Sequence, residues 1–374
     1  MPFARLHDLL DTLVAADICF AIFREQYSSD ERGVQPRLIV QADGRCRIVP
    51  DLSRLEERGF LLAPFQQNPT TPIVFIREDM ACQGWANIEN ELEQFMRVHS
   101  QKEILSPGEH SPAPPAALLD NSEPTSAYRK AFSAFSSSVR DRQFSKLVLS
   151  RGQEIDGFFS PAGAFLRACS IYPNAMVALV HTTLSGTWVC ATPETLLAGS
   201  GGQWRTMALA GSRPEFETGP WDKKNLEEQL LVTQYIQQKL SRFPCEIHKQ
   251  GPCTVIAGDI RHLRTDFHFR PGPSVRTADI VRALHPTPAV CGLPPEEAKE
   301  FICRNEGHDR RYYAGFLGWW GGRDEASLYV NLRCMEMQPS FVTLHAGGGI
   351  LPASRLEKEW RETCGKMHTM LRLL

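Results

Sequence analysis

Short apolar runs separated by turn residues dominate the first hundred residues of the chain. Four of these runs predict β-strands, at residues 18–23, 37–41, 46–50 and 72–76. Apolar residues at helical spacing predict helices over residues 1–14 and 87–99. Two aspartates interrupt the first of these, so we interpret it as an amphipathic helix and not as a signal peptide.

A proline- and serine-rich stretch at residues 106–125 predicts a connecting loop. We therefore divide the chain into an N-terminal part of the fold, residues 1–120, and a core, residues 121–374. Within the core, the patterns predict helices at residues 126–142, 223–240 and 296–302, and strands at residues 146–151, 176–181, 187–191, 207–212, 310–320 and 327–335. Helices and strands together indicate an α/β (α+β) fold.

Three charged residues of the core stand in unusual positions. Lys146 shares a strand face with apolar residues, so it either extends outward to water or lies in a poorly solvated pocket. Glu194 follows a proline at a turn, and by itself it is more typical of a solvent-facing residue. Glu228 lies on the apolar face of its helix, where a carboxylate needs a cation or a proton.

Two further residues are polar within strand-like runs. His262 is as typical of a hydrogen-bonded core residue as of a ligand-binding one. Arg333 lies in a largely apolar strand, where a guanidinium needs an anionic partner and can bind a carboxylate through two hydrogen bonds. A proline-rich loop at residues 284–295 has its backbone largely fixed before any ligand binds.

Three glycines at residues 347–349 precede an acidic C-terminal helix. On that helix Glu359, Glu362 and Lys366 fall within an arc of about 60°. Two carboxylates suit a hard cation such as Mg2+, and a lysine suits an anionic substrate group. Taken alone, the same spacing is more often a solvated helix face.

Composition excludes several classes of function. A formal charge of −2 gives no general attraction to nucleic acid or to an anionic membrane. No uncharged apolar run reaches the roughly 18 residues of a membrane span. Eleven scattered cysteines, without a C-x-x-C pair, indicate reduced thiols and therefore a cytoplasmic protein. We expect a monomer.

Ordered motifs along residues 125–374 resemble the chorismate-utilising enzymes, and among them the isochorismate synthase branch. The motifs are KLVLSR (146–151), ATPE (191–194), LAGS (209–212), Glu228 in its helix, HPTPAVCG (285–292), YYAG (312–315), LRC (332–334), the glycine run and ETCGK (362–366). Two positions depart from the usual pattern, namely Gln229, where histidine is common, and Gly348, where alanine is usual. The N-terminal third matches only loosely.

This resemblance implies a fold of two stacked β-sheets surrounded by helices, with the site buried between them. It implies Lys146 as general base and Glu194 as general acid, and Mg2+ held by Glu228 and Glu362 with Glu359 close by. The residues that it implies for substrate binding are Gly211, Ser212, His262, Thr287, Ala289, Tyr313, Arg333, Gly347, Gly349 and Lys366.

The implied reaction adds water at C2 of chorismate and expels the C4 hydroxyl. A lysine base has to be neutral and a glutamic acid protonated, so both Lys146 and Glu194 should be enclosed. Salicylate synthase and the aminating enzymes are rival functions, and the PTPA run at residues 286–289 favours the isochorismate branch. We expect no glutaminase subunit. A non-catalytic chorismate-binding protein is the rival from another class. The sequence does not distinguish menaquinone from siderophore biosynthesis.

Overall fold

The structure is a computed structural model, and it describes residues 3–26, 34–43, 45–99 and 123–374. Most of the predicted connecting loop, residues 106–122, lies outside these ranges. The helices are α1 (Ala4–Ala15), α2 (Trp85–His99), α3 (Ser126–Arg140), α4 (Pro161–Ile171), α5 (Lys223–Leu240), α6 (Thr277–Leu284), α7 (Pro295–Asn305) and α8 (Leu356–Leu371).

The strands in chain order are β1 (Phe20–Arg24), β2 (Arg37–Val40), β3 (Arg47–Ile48), β4 (Gly59–Ala63), β5 (Val74–Arg77), β6 (Met80–Gln83), β7 (Lys146–Asp156), β8 (Met176–Thr182), β9 (Gly186–Thr192), β10 (Thr195–Ser200), β11 (Gln203–Pro214), β12 (Cys245–Ala257), β13 (Ile260–Pro271), β14 (Gly292–Leu293), β15 (Phe316–Trp320), β16 (Glu325–Val330), β17 (Cys334–Met337) and β18 (Phe341–Ile350).

Two antiparallel sheets organise the described part of the chain, with nine strands in each. The first has the order β14-β7-β18-β17-β9-β8-β1-β2-β6, and the second has the order β12-β13-β11-β10-β16-β15-β4-β5-β3. Strands from the first hundred residues occupy one end of both sheets. The N-terminal part therefore completes the same two sheets that the core begins.

Alternation along the strands of the first sheet divides its side chains between two hydrophobic cores. On β1, Ala21 and Phe23 pack into the larger core, which includes residues of both sheets and of α3 and α5 to α7. Phe20 and Ile22 point the other way, into a core shared with α1, α2 and α4. The predicted arrangement of two sheets with helices outside is confirmed.

The predicted strand at residues 327–335 was wrong, because the chain changes sheets within it. β16 pairs with β15 and β10 in the second sheet, whereas β17 pairs with β18 and β9 in the first. Arg333 lies in the crossing segment between them, with φ of 45°, and not inside a strand. An arginine held at positive φ is strained, so its position is imposed by the surrounding packing.

The glycine run has the composition of a loop, yet Gly347 and Gly349 lie within β18 and pair with Ser150 and Val148 of β7. Other predictions are confirmed, including the bounds of α5 and the β8–β9 hairpin. Within the described residues, the structure contains no helix long and apolar enough to cross a membrane.

Candidate active site

Four elements converge at the start of β7: β7 itself, its partner β18, and the helices α5 and α8. The glycines of β18 allow this approach, since a methyl group on Gly349 would collide with Glu228 Oε1 and lie 3.1 Å from Lys146 Cε. A methyl group on Gly348 would lie 3.3 Å from Glu359 Oε2 and 3.7 Å from Glu362 Oε1. The glycine run therefore brings three carboxylates close to one strand backbone.

Each of these carboxylates is paired with one lysine. The pairs are Lys146 Nζ with Glu228 Oε1 at 2.9 Å, Lys224 Nζ with Glu359 Oε1 at 2.6 Å, and Lys366 Nζ with Glu362 Oε1 at 2.6 Å. Lys366 also donates to the Gly347 carbonyl at 2.8 Å. Three carboxyl groups and three lysines thus pair within one partly enclosed cluster. Burial and the neighbouring Glu362 raise the pKa of Glu359 to about 7, against the opposing effect of Lys224.

The Lys146–Glu228 pair is the most enclosed of the three at its lysine end. Lys146 is fully buried, and only 8% of Glu228 is exposed. Burial alone would raise the pKa of Glu228, but the charges of Lys146, Lys224 and Lys366 outweigh it and lower the pKa to about 2. The carboxylate on the apolar face of α5 is therefore ionised and compensated by cations, as its position in the sequence demanded.

Glu194 lies between β9 and β10 and is 2% exposed, so it is enclosed as the resemblance implies, and it does not face solvent as its turn position alone suggested. The neighbouring Val330 N–H donates to its carbonyl at 3.0 Å, which ties the turn to the start of the sheet crossing. Burial raises the pKa of the Glu194 carboxyl to about 8, against the opposing effect of Lys146 and Lys366. At neutral pH this side chain is a protonated acid in an enclosed site.

A polar cluster around Arg333 forms another wall of the site. Its guanidinium donates to Thr369 Oγ1 at 3.0 Å and lies 3.1 Å from His262 Nε2. His262 Nδ1 lies 2.9 Å from the Gly211 carbonyl, so Nδ1 donates there and Nε2 accepts from Arg333. Burial, together with Arg333 and Lys366, lowers the pKa of His262 to about 3. His262 is therefore a neutral hydrogen-bonded residue that faces the site.

Burial also lowers the pKa of Arg333 itself, to about 10. Its hydrogen bonds go to a hydroxyl and an imidazole and not to a carboxylate. A buried guanidinium in this situation is suited to bind an anionic group of a ligand.

Tyr313 is held in place by a stack of rings. His345 lies between Trp188 and Tyr313, with ring centroids 5.4 and 5.5 Å apart and interplanar angles of 22° and 14°. A methyl group on Gly347 would approach the Tyr313 hydroxyl to 2.8 Å. The stack therefore fixes a phenol against the glycine strand.

A cavity between these walls is lined by most of the residues that the sequence indicated. Those in its wall are Glu194, Gly211, Ser212, Glu228, His262, Ala289, Tyr313, Arg333, Gly347, Gly349 and Lys366. Lys146, Glu359 and Glu362 lie immediately behind it, through the pairs and glycine contacts described above. Thr287 is absent from the wall. It is buried, and its carbonyl accepts from the Val290 and Cys291 N–H groups inside the turn.

The structural role of Gln229 and the position of Lys224 beside the carboxylates were not predicted from the sequence. Gln229 is buried, and its amide donates to the Ala208 carbonyl at 3.1 Å and to Thr265 Oγ1 at 3.0 Å. It therefore ties α5 to the second sheet. Lys224 carries a recognisable signal, because it precedes Glu228 by four residues and so lies on the same helix face.

A buried ion pair between Glu306 and Arg310 was also missed. Arg310 donates twice to Glu306 at 2.6 Å and reaches the Val290 and Val148 carbonyls at 2.7 Å. Both valines line the cavity. The pair thereby fixes the proline-rich loop against β7, and its i, i+4 spacing is the signal that the sequence offers.

The donor set suits Mg2+ in its chemistry. Glu228, Glu359 and Glu362 offer carboxylate oxygens, and Glu359 Oε2 is buried without a hydrogen-bond partner among the residues that the structure describes. Over the described ranges, no three side chains already converge as a metal cluster. Mg2+ commonly uses only one or two carboxylates together with substrate oxygens and water. The residues present therefore fit the ion, provided that at least one lysine pair opens.

Comparison with known proteins identifies the family of the chain. A family model described as chorismate binding enzyme matches residues 52–374. The chain belongs to the chorismate-binding enzymes. The match begins well before residue 125, where the motifs of the sequence begin, so it takes in part of the N-terminal strands of this chorismate-binding enzyme.

Curated relatives share about a third of the aligned residues. Isochorismate synthase EntC of Escherichia coli is 31% identical over 242 residues, which cover 61% of this chain and 62% of the relative. Isochorismate synthase DhbC of Bacillus subtilis is 32% identical over 206 residues, 52% of each chain. The aligned stretch thus spans about half to two thirds of these relatives.

Solved structures show the same fold over nearly the whole chain. The menaquinone-specific isochorismate synthase MenF of Escherichia coli superposes with a TM-score of 0.74 at 19% identity, covering 96% of this chain and 91% of that one. Anthranilate synthase component I of Streptococcus pneumoniae gives a TM-score of 0.62 at 16% identity, covering 95% and 92%. At these identities the likeness concerns the fold.

Proposed function

We propose that this chorismate-binding enzyme is a Mg2+-dependent isomerase that converts chorismate to isochorismate. The observation that carries the proposal is the enclosed, protonated Glu194 in a cavity that also presents cationic groups for carboxylates. Expulsion of a hydroxyl group requires a proton donor, because hydroxide is a poor leaving group. The names of the relatives from Escherichia coli and Bacillus subtilis support the same reaction.

Glu194 is the proposed general acid. Its protonated carboxyl would give its proton to the C4 hydroxyl as that group leaves as water. An ordinary exposed glutamate would be ionised at neutral pH and could not do this. The burial between β9 and β10 therefore supports the assignment, since it keeps the proton on the side chain.

Lys146 is the proposed general base for the water that attacks C2. In the structure its Nζ lies 2.9 Å from Glu228 Oε1. A lysine accepts a proton only after losing its own, so this contact has to loosen when substrate binds. The fully buried position of Lys146 supports the role, because it places the amine inside the enclosed site and not in solvent.

Arg333 and Lys366 would bind the two carboxylates of chorismate, and Tyr313 would donate a hydrogen bond. Both cations line the cavity. The neutral His262 keeps the Arg333 guanidinium in place through Nε2, while its other nitrogen donates to the Gly211 carbonyl. Fixed charges of this kind orient a rigid dianion for attack on one ring carbon.

Glu228 and Glu362, with Glu359 beside them, would hold the Mg2+ ion. When bound, the ion would neutralise a substrate carboxylate and so favour the shift of ring electrons toward it. The buried Glu359 Oε2, which has no hydrogen-bond partner, supports this assignment.

The direct test is to incubate purified protein with chorismate and MgCl2, with and without EDTA, and to identify the products by chromatography and mass spectrometry. We expect isochorismate, its loss with EDTA, and its loss in Lys146→Ala. Lys223→Ala is the matched control, because Lys223 is exposed and should leave the rate unchanged. Salicylate with pyruvate would assign a lyase instead. Unchanged chorismate would indicate that the protein binds chorismate without converting it.

A further inference from the structure

Lys224 differs from the two other lysines of the carboxylate cluster in having no assigned part in the reaction. It lies in the first turn of α5, and its Nζ donates to Glu359 Oε1 at 2.6 Å. Lys366 lines the substrate cavity and Lys146 is the proposed base, whereas Lys224 is not in the cavity wall. Its role therefore concerns the carboxylates and not the substrate.

The surroundings of Lys224 are those of a counter-ion. Glu362, Glu359 and Glu228 together raise its pKa, although burial opposes them. Its side chain keeps 18% of its surface exposed, whereas that of Glu359 is 2% exposed. The lysine thus has a path to water that its partner lacks.

A divalent cation and this ammonium would act on the same carboxylate. If both stayed beside Glu359, the like charges would repel each other in a partly desolvated site. Without either of them, Glu359 would be a buried carboxylate with no compensating charge, which is unfavourable. One cation should therefore replace the other.

We propose that Lys224 is a built-in counter-ion that occupies Glu359 in the metal-free protein and competes with Mg2+ for it. The inference rests on the proposed metal site. Lys224 keeps the cluster stable while the metal is absent, and it moves outward along its exposed flank when the metal binds. It thereby weakens Mg2+ binding and keeps the ion exchangeable.

The test is Mg2+ affinity without substrate, measured by isothermal titration calorimetry with MgCl2 on Lys224→Met and Lys224→Gln. We expect both variants to bind Mg2+ about tenfold more tightly than the wild type, because the competing charge is gone. In thermal unfolding, both variants should have a lower Tm than the wild type in EDTA, and their Tm should rise more on adding MgCl2. Lys224→Arg retains the cation and should stay close to the wild type.

Lys223→Met is the matched control, because Lys223 is the adjacent residue, is 90% exposed and pairs only loosely with Glu227 at 3.6 Å. It should leave the Mg2+ affinity unchanged. Equal or weaker Mg2+ binding by both Lys224 variants, in protein that is folded by circular dichroism, would overturn the inference and leave the proposed reaction standing. Failure of Mg2+ to bind to the wild type and to both Lys224 variants, with or without chorismate, would remove the proposed metal site and the inference with it.

Discussion

The protonation of Glu194 should set the upper pH limit of the proposed reaction. Burial raises the pKa of this carboxyl to about 8. A general acid acts only in its protonated form, and the protonated fraction is about 0.9 at pH 7 and about 0.1 at pH 9. At saturating MgCl2 and constant ionic strength, kcat/KM for chorismate, which reports the groups of the substrate-free protein, should therefore fall about tenfold between these two pH values.

Glu194→Gln identifies the group responsible for that decline. The amide keeps the size of the side chain and remains neutral, but it has no acidic proton to transfer. Its kcat should be lower by about 10² to 10⁴, and the remaining activity should not decline between pH 7 and pH 9. A decline of the same shape in the variant would refute the reasoning, since another group would then be titrating.

The raised pKa of Glu194 also makes the free energy of unfolding depend on pH. The folded protein holds it more tightly than an unfolded chain, whose glutamate titrates near 4.5. The stabilisation is complete below about pH 4.5 and is lost as the pH rises to about 8, a change on the order of 5 kcal/mol. In urea unfolding, the free energy of unfolding of Glu194→Gln should therefore rise relative to that of the wild type as the pH increases. A difference independent of pH would contradict the assigned burial effect.

Three substitutions test the surrounding framework. Gly349→Ala should reduce kcat at least about tenfold, because its methyl group collides with Glu228. Gly365→Ala in α8 is the control, since no atom outside its own helix lies within 4 Å of the new methyl group, and it should keep full activity and raise Tm. Arg333→Met should raise KM for chorismate about tenfold or more in steady-state assays, and an unchanged KM would remove it from the carboxylate site. Glu306→Gln should lower the free energy of unfolding in urea by about 3–5 kcal/mol, because it leaves a buried guanidinium without its charge partner, and a loss of under about 1 kcal/mol would contradict this.

The elements that the sequence predicted well are those with a complete local signal. Helix α5 begins after Asp222, whose side chain accepts from the Asn225 N–H, and its apolar stripe continues to Leu240. The β8–β9 hairpin has two apolar runs around Ser185 and Gly186. In both cases a few neighbouring residues determine the structure.

Elements that depend on distant contacts were predicted less well. The segment at residues 327–335 has the alternation of one strand, yet the pattern holds no information on which sheet each half joins. Arg333 marks the change of sheet through its positive φ. The glycine run at residues 347–349 has the composition of a loop, but pairing with β7 and the closeness of Glu228 impose an extended strand.

Among the site residues, too, those with a local sequence signal were predicted better than those positioned by distant contacts. The face of Glu228 on α5 was sufficient to indicate an enclosed, compensated carboxylate. Glu194 lacked any such local signal, and only the ATPE motif of the resemblance indicated that it is enclosed. Lys223 and Lys224 each precede a glutamate by four residues, and the approach of α8 with Glu359 shows which of the two lysines belongs to the carboxylate cluster. Sequence patterns thus locate residues on elements, and tertiary packing decides which of them meet.

Addition of solvent water at C2 is the central chemical claim, and isotope labelling tests it most directly. Purified protein would be given chorismate and MgCl2 in water enriched in oxygen-18, and the product would be examined by mass spectrometry. The proposed reaction predicts isochorismate that carries one heavy oxygen, on C2. Isochorismate without the label would contradict water as the nucleophile, and a different product would contradict the assigned reaction itself.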